Sequence, residues 1–214
     1  SGCTQASFYK PRRGANTHAT PLFQKENYPM KKLLTVLLLS LSAIITAQAQ
    51  QKLLTQSEIS CVSKQMGVPV EGKFTKCDAQ LACDPKKPET SKVNFTVDLT
   101  SANLGNENKK KELKKPGWFD SAKVPVATFT SSSVKAIGAG KYEFTGKLTI
   151  KGLTQNLTVP VSLTQKEGVT KAEGSFVLKR LDFKIGDGEW NDTSLVANEV
   201  TVKVKLNLSG IPSV

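Results

Sequence analysis

Residues 200–208 read Val-Thr-Val-Lys-Val-Lys-Leu-Asn-Leu, an uninterrupted alternation of apolar and polar side chains. Successive side chains of a strand point to opposite faces, so this stretch predicts a strand with one buried and one solvated face. Several earlier stretches repeat the pattern, and their apolar members are Ile59 and Cys61; Val68, Val70 and Phe74; Val93, Phe95, Val97 and Leu99; Tyr142, Phe144, Leu148 and Ile150; and Leu157, Val159, Val161 and Leu163. The pattern is typical of antiparallel sheets.

Turn signals separate these stretches at Gly138-Ala139-Gly140, Lys151-Gly152 and Glu167-Gly168. About eight strands of this kind must close on themselves or form a sandwich, because closure removes exposed edges. Residues 106–115 break the alternation and predict a short polar helix or loop that ends before Pro116. We therefore expect an all-β fold with one short helix or polar loop.

Residues 30–49 have the organisation of a secretory signal peptide. Lys31 and Lys32 precede an apolar run over residues 33–47, and Ala47-Gln48-Ala49 forms a cleavable small-residue site. The run is shorter than the about 20 residues of a transmembrane helix. We predict export with cleavage near Ala49, and a single domain over residues 50–214. Residues 1–29 show no targeting pattern, and we expect them to be a non-native or wrongly assigned leader.

Charge and histidine content exclude several functions. The chain carries a formal net charge of +12, which favours acidic partners in general. Arg180, however, is the only arginine after residue 13. Sequence-specific readers of nucleic acids depend on arginine, so we expect no nucleic-acid partner. The one histidine, His18, lies in residues 1–29, which we expect to be absent from the mature protein. Without it, no Ser-His-Asp triad, Cys-His pair or histidine-ligated metal site can form, and we expect no metal and no cofactor.

Four blocks of the chain, in order, resemble the YceI-like family. They are residues 57–67 followed by 70–74; Trp118-Phe119-Asp120 followed by residues 124–131; residues 146–154, Gly-Lys-Leu-Thr-Ile-Lys-Gly-Leu-Thr; and residues 176–190 with Arg180-Leu181-Asp182-Phe183. The resemblance implies a closed, eight-stranded, antiparallel, lipocalin-like barrel that is exported to the periplasm. It also implies a polyisoprenoid or another long-tailed amphiphile in the lumen, and no conserved catalytic constellation.

We therefore expect a periplasmic binding or carrier protein and not an enzyme. A buried lipid tail gains roughly 0.8 kcal/mol per methylene without any directional partner. Two alternatives stay open. The inward side chains could pack a dry core, which would suit a stress-linked structural or interaction module. Less expected is a histidine-free isomerase or hydrolase that uses Asp182, Asp187, Glu189 or a cysteine.

The candidate ligand-binding residues are mostly aromatic. Trp190 is expected at a loop end, where its ring could gate entry. Arg180 and Asp182 are spaced to share one strand face, either as a polar clasp for a head group or as an ion pair that anchors the strand. The full candidate set is Phe95, Trp118, Phe119, Phe129, Phe144, Ile150, Phe176, Arg180, Asp182, Phe183 and Trp190.

Cysteines and lysines complete the candidates. Export permits a disulfide, and Cys77 and Cys83 are the first choice, paired across a hairpin, with Cys61 as the alternative partner. The lysine-rich segment is either a solvated loop or a site of transient contact with anionic membrane head groups. Its members are Lys109, Lys110, Lys111, Lys114 and Lys115.

Overall fold

The computed structural model describes residues 50–213, so the predicted leader (1–29) and signal peptide (30–49) lie outside the described residues. Within that range the chain forms one antiparallel sheet, one α-helix and four 3₁₀ turns. The strands are β1 Lys52–Leu53, β2 Glu58–Gln65, β3 Val68–Phe74, β4 Cys77–Ala82, β5 Lys92–Asp98, β6 Ala102–Asn103, β7 Val126–Gly138, β8 Lys141–Ile150, β9 Leu153–Lys166, β10 Val169–Lys179 and β11 Glu199–Ser209. The helix, α1, spans Glu107–Leu113.

The sheet is curled, and its strand order is β4-β5-β7-β8-β9-β10-β11-β2-β3-β6, with β1 beside the end of β11. The all-β prediction is confirmed, whereas eight strands in a closed barrel are not. Among residues 50–213 the sheet has eleven strands, and no ladder joins β4 to β3 or to β6. The strands divide at Thr75 and Lys76, because both N–H groups donate to Ser101 Oγ (3.2 and 3.1 Å) and not to a neighbouring strand.

Two-residue turns connect the hairpins where the sequence predicts them. Lys151 and Gly152 have φ of 52° and 78°, and Glu167 and Gly168 have φ of 53° and 78°. A type I′ turn needs positive φ at both central residues, which glycine adopts without a steric penalty. These turns fix the register of β8 with β9 and of β9 with β10, so the inward sets of neighbouring strands face the same side.

The helix α1 confirms the short polar element expected at residues 106–115. Asn106 caps it, because its side chain accepts hydrogen bonds from the N–H groups of Asn108 (2.8 Å) and Lys109 (3.3 Å). Lys110 pairs with Glu107 one turn away, and Lys115 pairs with Glu112. Among residues 50–213, no helix has the length and hydrophobicity needed to cross a bilayer.

Two separate clusters of buried apolar side chains are present within residues 50–213. One contains Leu99, Ala127, Ile150, Phe183 and Ile185, with Leu153 packed against it. The other contains Ala172, Leu208 and Ile211, with Leu163 packed against it. Leu153 and Leu163 belong to the same strand, and ten residues of strand span about 33 Å. The clusters therefore lie at opposite ends of the curled sheet, here called the Phe183 end and the Ile211 end.

Gly146 generates a stability prediction, because its position leaves no room for a side chain. It pairs with Ser131 beside a bulge in β7, and a Cβ atom there would lie 2.8 Å from Phe129 Cζ and would also meet the Thr130 carbonyl. We expect Gly146→Ala to lower the free energy of unfolding by about 2 kcal/mol. Gly138→Ala, where the nearest atom is 3.9 Å away, serves as the control and should change it by less than about 0.5 kcal/mol. Urea denaturation measures both, and equal effects would contradict the packing argument.

Candidate ligand-binding site

A cavity of about 560 Å³ lies inside the curled sheet. Packed protein interiors contain few voids larger than a water molecule, which needs roughly 15 Å³ of such space. Ligand pockets of proteins typically measure about 300–1,000 Å³. The cavity therefore has the size of a binding site, and the side chains of the sheet do not fill the interior.

The walls of the cavity are the inward faces of the strands. The predicted alternation holds for five sets, all of whose members line the cavity: Ile59 and Cys61; Val93, Phe95, Val97 and Leu99; Tyr142, Phe144, Leu148 and Ile150; Leu157, Val159, Val161 and Leu163; and Val200, Val202, Val204, Leu206 and Leu208. Val68 differs from the prediction, since it lies at the exposed tip of the β2–β3 hairpin (63% exposed). The lining that results is predominantly apolar.

The cavity extends to the protein surface beside α1. Lys73, Asn103 and Lys109 belong to its lining and are also exposed to solvent. Glu112 and Leu113 of the same helix complete this edge. At this edge the lining of the cavity therefore reaches solvent-exposed side chains.

Most of the predicted site residues lie on the wall. Phe95, Trp118, Phe119, Phe129, Phe144, Ile150, Phe176, Arg180 and Trp190 line the cavity. Asp182 and Phe183 are not part of the lining: Asp182 faces solvent, and Phe183 is 2% exposed within the Phe183-end cluster. The reason is local, because β10 ends at Lys179 and residues Arg180–Phe183 form a 3₁₀ turn. Strand spacing therefore does not apply to Arg180 and Asp182, and that prediction was wrong.

Aromatic rings cluster at the Phe183 end of the cavity. The ring centroids of Trp118 and Trp190 are 6.0 Å apart with an interplanar angle of 44°, and Phe74 and Phe119 meet edge to face at 5.9 Å. Trp190 ends a 3₁₀ turn, Gly188–Trp190, and is 36% exposed. It thus has the predicted loop-end position, while its gating role stays a prediction.

Arg180 is a buried structural anchor, 2% exposed. Its Nε donates to the Ala197 carbonyl (3.1 Å), and its Nη atoms donate to the carbonyls of Ile185, Gly186, Trp190 and Val196 (2.6–2.8 Å). A guanidinium has five N–H donors, so five carbonyls use all of them. Burial lowers the pKa of Arg180 below its ordinary value. No donor remains for a head group, and none of the ion pairs within residues 50–213 joins Arg180 to Asp182. Neither predicted role, clasp or ion pair, is therefore correct.

Comparison with known proteins identifies the family to which this architecture belongs. The model of the YceI-like domain matches residues 52–208. The chain belongs to the YceI-like family. Protein YceI of Escherichia coli O157:H7 is 34% identical over 121 residues, which are 53% of this chain and 63% of that protein. The chain thus spans less than two thirds of the length of this curated relative.

Two solved structures support the YceI-like fold. BcnA of Burkholderia cenocepacia is 43% identical with a TM-score of 0.69, covering 71% of this chain and 96% of BcnA. A polyisoprenoid binding domain from Saccharophagus degradans is 16% identical with a TM-score of 0.62, covering 76% of this chain and 99% of that domain. The second likeness concerns the fold alone.

The disulfide expected in this YceI-like chain does not form, and Cys61, Cys77 and Cys83 are all free thiols. Cys77 and Cys83 do not face each other across a hairpin, because β4 runs through the segment between them. Six residues of strand span about 20 Å, whereas bridged cysteines need Cα atoms within about 7 Å.

The thiols act as small apolar wall groups. Cys61 and Cys83 line the cavity, and burial raises the pKa of Cys83 to about 11 and also raises the pKa of Cys61 and Cys77. The thiolate is the nucleophile and the metal ligand, so these protonated thiols are weakly reactive at neutral pH. Residues 50–213 contain no group of three His, Cys, Asp or Glu that could hold a metal ion.

Among the polar wall residues that the sequence candidates did not include are two on β2. Ser63 and Gln65 line the cavity, and they continue the inward alternation of Ile59 and Cys61 along β2. Period two alone would have placed them on the wall. Alternation of apolar side chains alone does not reveal them, because both are polar members of the inward face.

Replacing Arg180 tests its role as an anchor. Arg180→Met removes the hydrogen-bond donors of five carbonyls, so we expect the free energy of unfolding to fall by at least about 3 kcal/mol. Asp182→Asn is the control and should change it by less than about 0.5 kcal/mol, because Asp182 is exposed. Both follow from urea denaturation. A comparable loss in Asp182→Asn would favour the ion pair instead.

Proposed function

We propose that this chain binds a polyisoprenoid, or a similar long-tailed amphiphile, in its apolar lumen and carries it through the periplasm. The observation that carries this proposal is the cavity of about 560 Å³ with its predominantly apolar wall. Each buried methylene of a tail contributes roughly 0.8 kcal/mol, and the wall supplies that burial from several strands at once. The S. degradans domain of similar fold is a polyisoprenoid binding domain, which agrees with this ligand class.

A closed barrel of eight strands belongs to the same proposal. The ends of the strand order are β4 and β3 with its short neighbour β6, yet β3 and β4 are separated by only Thr75 and Lys76. β3 pairs with β2, and β4 pairs with β5. If β3 and β4 are counted as one bent strand, that strand joins the two sides of the sheet. Taken this way, with β1 as an extension of β2 beside β11 and β6 as a bridge, eight strands surround the lumen.

Binding is favoured over the two alternatives by specific observations. A filled barrel would leave no space of this size, which argues against the purely structural module. The carboxylates considered for catalysis, Asp182, Asp187 and Glu189, are not among the lining residues, and the wall thiols have raised pKa values. The groups considered for catalysis therefore either lie off the lining or are held in the less reactive, protonated form.

Filling the lumen tests the binding function. Leu157→Trp adds a ring inside the cavity, while Asn156→Trp adds the same ring on the exposed face of the same strand. We expect native mass spectrometry of gently purified wild-type protein and of Asn156→Trp to show a copurifying lipid. Leu157→Trp should retain at least about tenfold less, because several methylenes lose their place.

A second filling variant, Val161→Phe, guards against a folding defect in Leu157→Trp. Circular dichroism establishes that each variant is folded before its lipid is measured. Equal lipid content in folded wall variants and in the control would contradict binding in the lumen. A wild-type protein without any copurifying lipid, and without affinity for an added prenol, would contradict the proposed function as a whole.

Processing of the leader tests the periplasmic location. Expressed from Met30 in a Gram-negative host, the chain should appear in the osmotic-shock fraction with Gln50 as its first residue, measured by intact mass. Ala49→Arg places a large charged side chain at the cleavage site, so the precursor mass should persist. An unprocessed wild-type chain in the cytoplasmic fraction would contradict export.

A further inference from the structure

Two buried polar atoms in the cavity wall have no hydrogen-bond partner. Within residues 50–213 these are Ser63 Oγ and Trp118 Nε1, and both residues line the cavity. A buried donor or acceptor without a partner costs about 1–3 kcal/mol, and native proteins keep few of them. Two such atoms in one predominantly apolar cavity indicate the chemistry of what the cavity holds.

Both residues lie at the Phe183 end of the cavity. On one side, β2 continues from Ser63 to Gln65, which pairs with Val196 in an isolated bridge. Arg180 then connects Val196 to Gly186, donating to both carbonyls at 2.7 Å. Trp118 packs against Gly186, because a Cβ atom added to Gly186 would lie 3.1 Å from the Trp118 ring. One network of contacts therefore brings the two unpaired atoms to the same end.

The two atoms call for a hydrogen-bond acceptor. An indole N–H only donates, and a serine hydroxyl can donate or accept. Arg180 offers no free donor to an anion at these two atoms, because all five of its N–H groups are already used. Ser63, Gln65 and Trp118 are uncharged, and a buried ion without a counter-charge is far more costly than a neutral group. A neutral acceptor therefore fits these two uncharged groups.

We propose that Ser63 and Trp118 form a polar subsite that binds the neutral, hydrogen-bond-accepting head group of a lipid, such as a carbonyl or hydroxyl. This inference rests on the proposed function, because the tail of the same lipid would occupy the apolar part of the lumen. Lys109 and Glu112 of α1 line the same cavity, so the contribution of Lys109 is tested separately from that of Ser63 and Trp118. Selection of the head group then depends on Ser63 and Trp118, whereas binding of the tail does not depend on their polar atoms.

Three probes with the same prenyl tail test the subsite. Farnesol carries a hydroxyl, farnesene carries no head group, and farnesyl diphosphate carries a charged one. Calorimetry of delipidated protein compares wild type with Ser63→Ala, Trp118→Phe and the matched control Trp190→Phe. We expect Ser63→Ala and Trp118→Phe to weaken farnesol binding about threefold to tenfold each and to leave farnesene within about twofold. Trp190→Phe should affect farnesol and farnesene alike, because it changes packing only.

Stability adds a readout that a structural role would not reproduce. Ser63→Ala removes an unpaired hydroxyl, so the ligand-free variant should unfold at the same or a higher urea concentration while it loses farnesol affinity. If the Ser63 hydroxyl had a structural role, its removal would instead lower the stability of the ligand-free protein. Because Ser63→Ala changes so few atoms, it keeps the test decisive even if Trp118→Phe folds poorly.

The outcomes separate the subsite from the carrier function. If farnesene and farnesol both bind and the two variants change both affinities equally, the subsite is overturned and the carrier function stands. If farnesyl diphosphate binds more tightly than farnesol and loses affinity in Ser63→Ala, the neutral head group is overturned. If neither farnesene nor farnesol binds wild-type protein, the carrier function and the subsite are overturned together. Diphosphate binding that depends on Lys109→Ala but not on Ser63→Ala supports a neutral subsite.

Discussion

Lateral hydrogen bonding between strands is the constraint on which the rest of this structure depends. Neighbouring strands satisfy each other's backbone N–H and C=O groups, so the backbone needs no hydrogen-bond partner inside the curled sheet. The inward side chains then need only be apolar, and they can surround a space without filling it. The sheet curls because its strands are twisted and its hairpins are short. A lumen of ligand size follows from this division between a polar wall framework and an apolar lining.

The ends of the lumen need a different kind of stabilisation, because there the strands stop and carbonyls lose their lateral partners. At the Phe183 end a single guanidinium replaces those partners, and Arg180 holds carbonyls from Ile185 to Ala197 in one place. The connection between β10 and β11 thereby becomes part of the wall and brings Trp190 to Trp118. One buried charge thus shapes the part of the cavity where unpaired polar atoms are found.

The sequence predicted the wall well and the ends poorly, for a physical reason. Period-two alternation reports which face a side chain occupies for as long as the strand continues, and it placed Phe95 and Phe144 on the wall, where both line the cavity. It does not report where a strand stops, because the 3₁₀ turn at Arg180 depends on carbonyls up to seventeen residues away. The same limit explains the disulfide error, since spacing alone did not distinguish a hairpin between Cys77 and Cys83 from one uninterrupted strand.

The chemistry of the wall thiols has a consequence for unloading. Histidine and cysteine are the side chains that ordinarily change charge between about pH 6 and pH 9. Residues 50–213 contain no histidine, and burial has moved the ionisation of Cys61 and Cys83 upward, to about 11 for the latter pKa. Neither residue type therefore gives the lumen an acid-operated release. Under the proposed carrier function, a bound tail would leave when the receiving phase offers it an equally dry environment, so delivery would follow a partition equilibrium.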